Sequence, residues 1–330
     1  MTVSVWSVRR ERGSAALVRL MVWLTLGLGW PVGQALLYPI TGYFFLFSRG
    51  ACRASGRFLA RVLNRPATAQ ERFRHLFTFS CVLLDRLFLL SNRLRHFRID
   101  VTGLENVTAA LAQGCGCVLL GSHLGSFEVL RAFGRQSPVP IRVLMYRANA
   151  GSYSRLVEPL DPTLRDAIIE IGTPEAMLLV RESLARGEMV GILADRAPDG
   201  QKMVSVPFLG EPAAFPTGPL VLCAALAVPV VLFFGIHIGP RRYDVRFEAF
   251  ADRIATQRAT RTEDITGWVK RYAGRLEALC RAHPFNWFNF YDFWNVPPPP
   301  SSRPIAAAGA AVPAVQHDGR SVASPLAGRS

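Results

Sequence analysis

The sequence has almost no lysine. Lys202 and Lys270 are the only two, so arginine supplies nearly all of the positive charge behind a formal net charge of +14. Arginine binds phosphate and carboxylate through paired hydrogen bonds and is less strongly hydrated than lysine, which suits lipid headgroups and other polyanions. The arginines are spread along the chain and no zinc-finger, RNP-type or basic-zipper pattern is present, so nucleic acid is not an expected partner. An anionic membrane or an acidic carrier protein explains the charge better.

Two catalytic signatures are also missing. The six cysteines show no paired spacing typical of a metal site, and we expect free thiols in a reducing compartment. No serine stands in the G-x-S-x-G pattern of a nucleophile elbow. A reaction in this protein is therefore expected to proceed without an acyl-enzyme intermediate, and no metal or nucleotide cofactor is implied.

Charge is absent from Leu20 to Ser48, a stretch longer than the ~20 apolar residues that cross a bilayer. Pro31 and Pro39 interrupt it, so both a kinked span and a helix lying in the membrane interface are open. A buried core helix of a soluble domain is the alternative to membrane attachment. More arginines follow the stretch than precede it, which favours a cytoplasmic position for the rest of the chain. We therefore divide the chain into a basic, membrane-associated segment (1–49), a folded domain (50–295) and a disordered Pro/Ala-rich tail (296–330).

The folded domain alternates between two periodicities. Helical spacing is followed by short apolar runs and by residues that alternate between apolar and polar. Predicted helices cover 70–92, 174–186, 217–227 and 265–280, and predicted strands cover 97–101, 116–120, 141–146, 189–194, 228–238 and 243–247. This order predicts a single α/β domain with a mixed or parallel sheet and helices on both faces.

The segment 121–128 carries the strongest catalytic signal. It follows an apolar run typical of a buried parallel strand, and it places His123 and Glu128 at the carboxyl end of that strand, where open α/β sheets bind ligands. An unperturbed histidine titrates near pH 6.5, so His123 could act as a base. Glu128 is a candidate orienting partner if the next helix begins near Ser126. A structural histidine is the alternative.

Three further blocks could take part in function, and the first of them could reach the same crevice. Asp195 and Arg196 end a second buried strand, although a capping aspartate with a surface arginine explains them equally well. The segment 206–219, with Phe208 and Gly210, is predicted to be a turn-rich apolar loop that leads into a helix. It could wall an acyl chain, present backbone N–H groups to an anion at the helix start, or simply connect two elements. The segment 284–294, which includes Trp287, is either a core-capping segment or a substrate-facing lid.

Residues 15–295 resemble the bacterial lipid A biosynthesis acyltransferases, the lauroyl and myristoyl transferases, and are most similar to a branch associated with polyene lipid clusters. The H-x4-D/E motif of that family is matched by His123 and Glu128. By resemblance His123 is the general base and Glu128 its charge-relay partner. Ser126, Asp195, Arg196, Phe208, Gly210 and Trp287 are then candidate substrate-binding residues.

The resemblance implies a location and partners as well as a reaction. The expected donor is a fatty acyl thioester of acyl carrier protein, and the acceptor is a hydroxyl or amine of a membrane lipid or glycolipid at the cytoplasmic face of the bacterial inner membrane. The sequence departs from the family at Arg196, where glutamine is usual, and in the Asn286–Tyr291 block. These departures leave the acceptor open. A lysophospholipid or ornithine-lipid acyltransferase and a non-catalytic acyl-carrier or lipid-binding protein are the alternatives.

Overall fold

A seven-stranded, mostly parallel sheet forms the centre of the protein. The computed structural model describes residues 23, 25–91, 93–130, 139–146, 164–196 and 200–295. Helices and strands are numbered here in chain order. The helices are α1 (Trp30–Phe47), α2 (Arg49–Leu63), α3 (Ala69–Leu90), α4 (Leu104–Leu111), α5 (Leu164–Ala167), α6 (Pro174–Ala185), α7 (Gly218–Leu226) and α8 (Arg261–Ala282). The strands are β1 (Arg98–Thr102), β2 (Val118–Gly121), β3 (Ile141–Tyr146), β4 (Ile168–Ile171), β5 (Met189–Leu193), β6 (Met203–Phe208), β7 (Glu211–Pro216), β8 (Val230–Gly239) and β9 (Arg242–Ala251).

The strand order across the large sheet is β1-β9-β8-β2-β5-β3-β4. All neighbours run parallel except β8 and β9, which form an antiparallel pair. The two core strands β2 and β5 are almost continuously apolar because both of their faces are covered. The expected α/β class with a mixed sheet is therefore confirmed.

Alternating side chains of β2 divide the core into two layers. Val118 and Leu120 face a layer built with α2, α6, α7 and α8, whereas Leu119 faces a layer built with α3 and α4. This alternation is the two-residue period of a strand. Helices therefore cover both faces of the sheet, as the sequence predicts.

The segment 206–219 is not the irregular loop that its prolines and glycines predict. β6 and β7 form a separate two-stranded antiparallel hairpin, whose register pairs Phe208 with Glu211. Leu209 and Gly210 both have positive φ angles, which is the geometry of a tight two-residue hairpin turn. Pro207 and Pro212 are tolerated because a two-stranded ribbon leaves half of its backbone groups without a ladder partner.

Helix α1 lies on α3 through polar contacts. The indole N–H of Trp30 donates to Asp85 at 2.7 Å, and the hydroxyl of Thr41 donates to Ser80 at 3.1 Å. Within the described ranges, which omit most of the first 24 residues, no helix is both long and apolar enough to span a membrane. The uncharged stretch allowed a membrane span as one possibility. The described part of that stretch contains no helix that could form one.

Candidate active site

The site is built where β2 and β5 end side by side. Their register pairs Gly121 with Leu193, so the residues two positions further on, His123 and Asp195, face each other across the sheet edge. The Tyr272 hydroxyl on α8 donates to the carbonyl of Gly121 at 2.8 Å and holds the end of β2. This edge is the carboxyl end of the parallel strands, where open α/β sheets place their ligands.

His123 and Asp195 form a hydrogen-bonded pair. Nδ1 of His123 lies 2.8 Å from Oδ1 of Asp195, and the backbone N–H of His123 donates to the same carboxylate at 3.0 and 3.1 Å. An ionised carboxylate only accepts hydrogen bonds, so Nδ1 carries the proton and Nε2 keeps its lone pair. The imidazole is 37% exposed while Asp195 is fully buried. A molecule at the sheet edge can therefore reach the imidazole, whose orientation is fixed by its hydrogen bond to buried Asp195.

The electrostatic environment favours the neutral imidazole. Burial lowers the pKa of His123 and the charge of Arg196 lowers it further, while Asp195 opposes both effects without reversing them. Burial raises the pKa of Asp195, but the charge and hydrogen bond of His123, the charge of Arg196 and the Trp287 N–H outweigh burial, so the pKa lies well below its usual range. Near neutral pH the pair is therefore an unprotonated base beside an ionised carboxylate, which is the arrangement of a general base and its orienting group.

Glu128 does not hold Nδ1 of His123, and this corrects the pairing predicted from the H-x4-D/E spacing. Its buried carboxylate forms a 2.7 Å ion pair with Arg86 of α3 and accepts a hydrogen bond from Ser126 at 3.2 Å. The spacing misleads because His123 leaves β2 towards β5, whereas Glu128 begins the following helix on the side of α3. Ser126 is itself buried, and its N–H donates to the carbonyl of Gly235 at 2.7 Å.

Arginine side chains approach the pair from two elements. Arg196 donates to the carbonyl of Phe288, and its Cζ lies 5.6 Å from the ring centroid of Tyr291. The charge of Arg86 also lowers the pKa of His123, so α3 contributes to the electrostatics of the site. Arg86 belongs to none of the predicted blocks. Its only sequence signal is a charge in the apolar half of a helix.

Backbone hydrogen bonds join the segment that follows α8 to the segment that carries His123. Phe288 N–H donates to the carbonyl of His123 at 3.0 Å, Gly125 N–H donates to that of Asn286 at 2.8 Å, and Leu124 bridges Trp287. Trp287, predicted to bind substrate, is fully buried, and its indole N–H donates to Oδ2 of Asp195 at 2.9 Å. The aromatic block is thus part of the floor of the site.

The two remaining predicted residues lie in the hairpin. Phe208 is fully buried and contacts the rings of Trp287, Phe293 and Trp294, with centroid separations of 5.3, 5.9 and 5.9 Å. Phe208 therefore packs against Trp287 as part of the buried aromatic cluster. Gly210 is exposed at the tip of the hairpin, and a Cβ added there would meet open space. Of the predicted site residues, the structure brings together His123, Asp195, Arg196 and Trp287. Gly210 lies away from them at the hairpin tip.

A histidine at the edge of an α/β sheet, held by a buried carboxylate, suits several kinds of acid–base chemistry, and the fold alone does not identify the reaction. Comparison with known proteins narrows the class. Residues 65–295 match the family described as bacterial lipid A biosynthesis acyltransferase. The chain is also similar to a phosphatidylinositol mannoside acyltransferase of Mycolicibacterium smegmatis, with 23% identity over 288 residues that cover 81% of this chain and 89% of that protein.

The chain therefore belongs to the bacterial lipid A biosynthesis acyltransferase family, and the resemblance inferred from the sequence blocks is confirmed. Its class is that of an acyltransferase of lipid biosynthesis.

Proposed function

We propose that this protein transfers a fatty acyl chain from an acyl carrier protein thioester to a hydroxyl group of a membrane lipid, with His123 as the general base. The observation that carries the proposal is the 2.8 Å hydrogen bond between Nδ1 of His123 and buried Asp195, in a ring that is 37% exposed. That contact leaves Nε2 as the basic atom, on a ring that substrates can reach.

The reaction needs one base and no covalent enzyme intermediate. Nε2 of His123 takes the proton of the acceptor hydroxyl as its oxygen attacks the thioester carbonyl. The tetrahedral intermediate then collapses, the carbon–sulfur bond breaks, and the imidazolium returns the proton to the departing thiolate. Asp195 stabilises the imidazolium between these two events. An ester and a free thiol are the products, and an amine acceptor would give an amide by the same steps.

The positive charge of the chain supports acyl carrier protein as the donor and a position at the membrane surface. A net charge of +14 suits an acidic carrier protein and anionic lipid headgroups. Tyr43 and Phe47 of α1 are 54% and 61% exposed, and Arg49, Arg53 and Arg57 follow at four-residue spacing on the outer side of α2. Aromatic rings beside arginines are typical of a helix lying in a membrane interface. We place the enzyme at the cytoplasmic face of the bacterial inner membrane.

A glycolipid or phospholipid acceptor is favoured by the Mycolicibacterium relative, which is named for acylating phosphatidylinositol mannoside. The lysophospholipid and ornithine-lipid alternatives differ from it only in the acceptor. Lipid analysis of a deletion strain separates them, because the acyl species that disappears names the acceptor. Loss of no acyl species would count against acyl transfer to a membrane lipid.

The catalytic test uses the purified full chain, labelled acyl carrier protein and a membrane lipid extract. We expect His123→Ala to lower transfer by at least about 10³-fold, the scale for losing a general base. His96→Ala is the matched control, because His96 is exposed on the short turn of 3₁₀ helix before β1. Replacing acyl carrier protein by acyl-coenzyme A as the donor tests whether the enzyme requires the carrier protein.

Each outcome has a distinct meaning. Equal transfer by His123→Ala and the unmodified chain would refute His123 as the base. Transfer from acyl-coenzyme A but not from acyl carrier protein would refute the proposal that acyl carrier protein is the donor. Failure of every form to label any lipid fraction would support the non-catalytic binding protein instead.

A further inference from the structure

Trp287 is held in place on both sides of its backbone and at its indole. The neighbouring residues Asn286 and Phe288 each share a backbone hydrogen bond with the 123–125 segment, at 2.8 and 3.0 Å. The indole N–H then donates to the same carboxylate that orients His123. The buried indole therefore contacts Asp195 directly and reaches His123 through that carboxylate.

A second histidine supports Trp287 from the other side. His75 of α3 is completely buried, with Nε2 2.9 Å from the carbonyl of Trp287 and Nδ1 2.9 Å from Oγ of Ser55 on α2. A carbonyl can only accept, so Nε2 of His75 carries the proton and Nδ1 accepts from the Ser55 hydroxyl. Both ring nitrogens therefore have hydrogen-bond partners, and these partners determine the tautomer of His75.

The environment of His75 is otherwise apolar. Its ring lies 5.4 Å from that of Phe58 and 4.8 Å from that of Phe290, measured between centroids. Placing an imidazole among such rings is unfavourable unless its hydrogen bonds are needed there. The hydrogen bond to Trp287 gives this position a use that an apolar side chain could not provide.

We propose that Trp287 and His75 are positioning residues for the His123–Asp195 pair: the indole N–H fixes the carboxylate, and the His75 N–H fixes the main chain that carries the indole. The inference rests on the proposed general-base role of His123. It adds Ser55 of α2 and His75 of α3, neither of which is among the candidate site residues predicted from the sequence, through a path that runs from Ser55 through His75, Trp287 and Asp195 to His123.

Removal of the indole N–H has a defined electrostatic consequence. With one donor fewer, the Asp195 carboxylate concentrates its charge on His123 and stabilises the imidazolium, so the pKa of His123 rises. The other groups whose charges reach the pair are constant over the relevant pH range. A guanidinium group keeps its charge in proteins, and burial raises the pKa values of Tyr272, Tyr291 and Cys280 away from neutrality. A change in the titration of His123 can therefore be attributed to Asp195.

The experiment measures the titration of His123 directly. Histidine ring ¹³C resonances are followed against pH in the purified full chain, with the His123 signal assigned from His123→Gln. For Trp287→Phe we expect the pKa of His123 to rise by about half a unit and kcat to fall by about tenfold, with the KM for donor changed less than about twofold. Trp294→Phe is the matched control, because Trp294 belongs to the same aromatic cluster but its indole donates to the carbonyl of Phe208.

A pair of His75 variants keeps the test decisive if Trp287→Phe does not fold. His75→Leu removes the donor to Trp287 and should move kcat and the His123 titration in the same direction. His75→Gln offers an amide N–H at the position of Nε2 and should restore both. An unchanged His123 titration in folded Trp287→Phe or His75→Leu would overturn the proposal, as would equal losses in His75→Gln and His75→Leu. The titration does not depend on acyl transfer, so failure of the proposed function would be recognised separately.

Discussion

Two buried carboxylates, those of Asp195 and Glu128, contact different side chains. Asp195 contacts His123 with no intervening residue, whereas Glu128 is neutralised by Arg86. A motif spacing constrains residues along the chain, but an orienting hydrogen bond needs proximity in space. The catalytic and structural roles of the two carboxylates can therefore be separated by experiment.

We expect Asp195→Asn to lower kcat by about 10³-fold with little change in stability, because an amide can donate to Nδ1 and stabilise the wrong imidazole tautomer. Glu128→Gln should lower kcat by less than about tenfold but reduce the free energy of unfolding by about 2 kcal/mol, because it removes the buried negative charge that pairs with Arg86. Transfer assays and urea unfolding of both variants provide the measurements. A larger kcat loss in Glu128→Gln than in Asp195→Asn would restore the motif carboxylate as the partner.

At the residue level the sequence allows both members of the pair to be predicted, but not their pairing. His123 and Asp195 each follow a short apolar run by one to three positions, which predicts a strand end. That these two strands are neighbours depends on the order β8-β2-β5-β3, which hydrophobic periodicity does not encode. Glu128 was the nearer carboxylate in sequence and therefore the more obvious partner.

Among the elements, the crossing of the motif loop over β8 is the tightest backbone approach near the site. Gly125 bridges Gly235 in parallel fashion, and it adopts a φ of +74°. A Cβ on Gly125 would lie 1.9 Å from the carbonyl oxygen of Gly235, and a Cβ on Gly235 would lie 2.2 Å from that of Ser126. Only two glycines allow these backbones to come so close.

Gly125→Ala should therefore destabilise the protein by about 3 kcal/mol and displace His123, since the loop has to move away from β8. Gly187→Ala is the matched control, because Gly187 also has a positive φ, of 78°, but open space at the Cβ position. That control should lose only about 1 kcal/mol from backbone strain. Urea unfolding of the two variants tests this, and equal losses would show that the contact with β8 is relaxed at little cost.

The exposed rings of α1 give a second prediction for an element. Replacing Tyr43 and Phe47 together by serine should weaken binding to anionic phosphatidylglycerol vesicles by about tenfold, because two rings no longer enter the interface. Leu178→Ser on α6 is a control of similar exposure, at 59%, on another element. Vesicle co-sedimentation measures the effect, and unchanged binding by the double variant would place the membrane contact elsewhere.

The elements differ in how well the sequence predicts them. The long apolar strand β8 and the amphipathic helix α8 have clear periodicity and lie close to the predicted ranges 228–238 and 265–280. The β6–β7 hairpin was missed because Pro207, Gly210 and Pro212 are ordinary signals for a loop. The pairing of its two strands depends on packing against α8 and the aromatic cluster, which are distant in sequence.

For the whole molecule, buried ionisable groups couple stability to pH. Burial lowers the pKa values of His75 and His237 to about 4. Burial raises the pKa of Asp85 to about 6, although hydrogen bonds from Trp30 and Tyr243 limit the rise. The unfolded chain binds protons on both histidines near pH 6.5, before the folded protein does, so acid favours unfolding. Asp85 acts in the opposite direction, because the folded protein protonates it first.

The two histidines should dominate between pH 7 and pH 5. Over this interval each lowers the free energy of unfolding by about 2 kcal/mol, while Asp85 adds about 1 kcal/mol, so we expect a net loss of about 3 kcal/mol. Urea unfolding at the two pH values measures the difference. His237→Gln should recover about 2 kcal/mol of it, because glutamine does not titrate. Equal unfolding free energies at pH 7 and pH 5 would mean that the buried histidines reach protons without unfolding, and the rigid core around Trp287 would then be more open than its packing indicates.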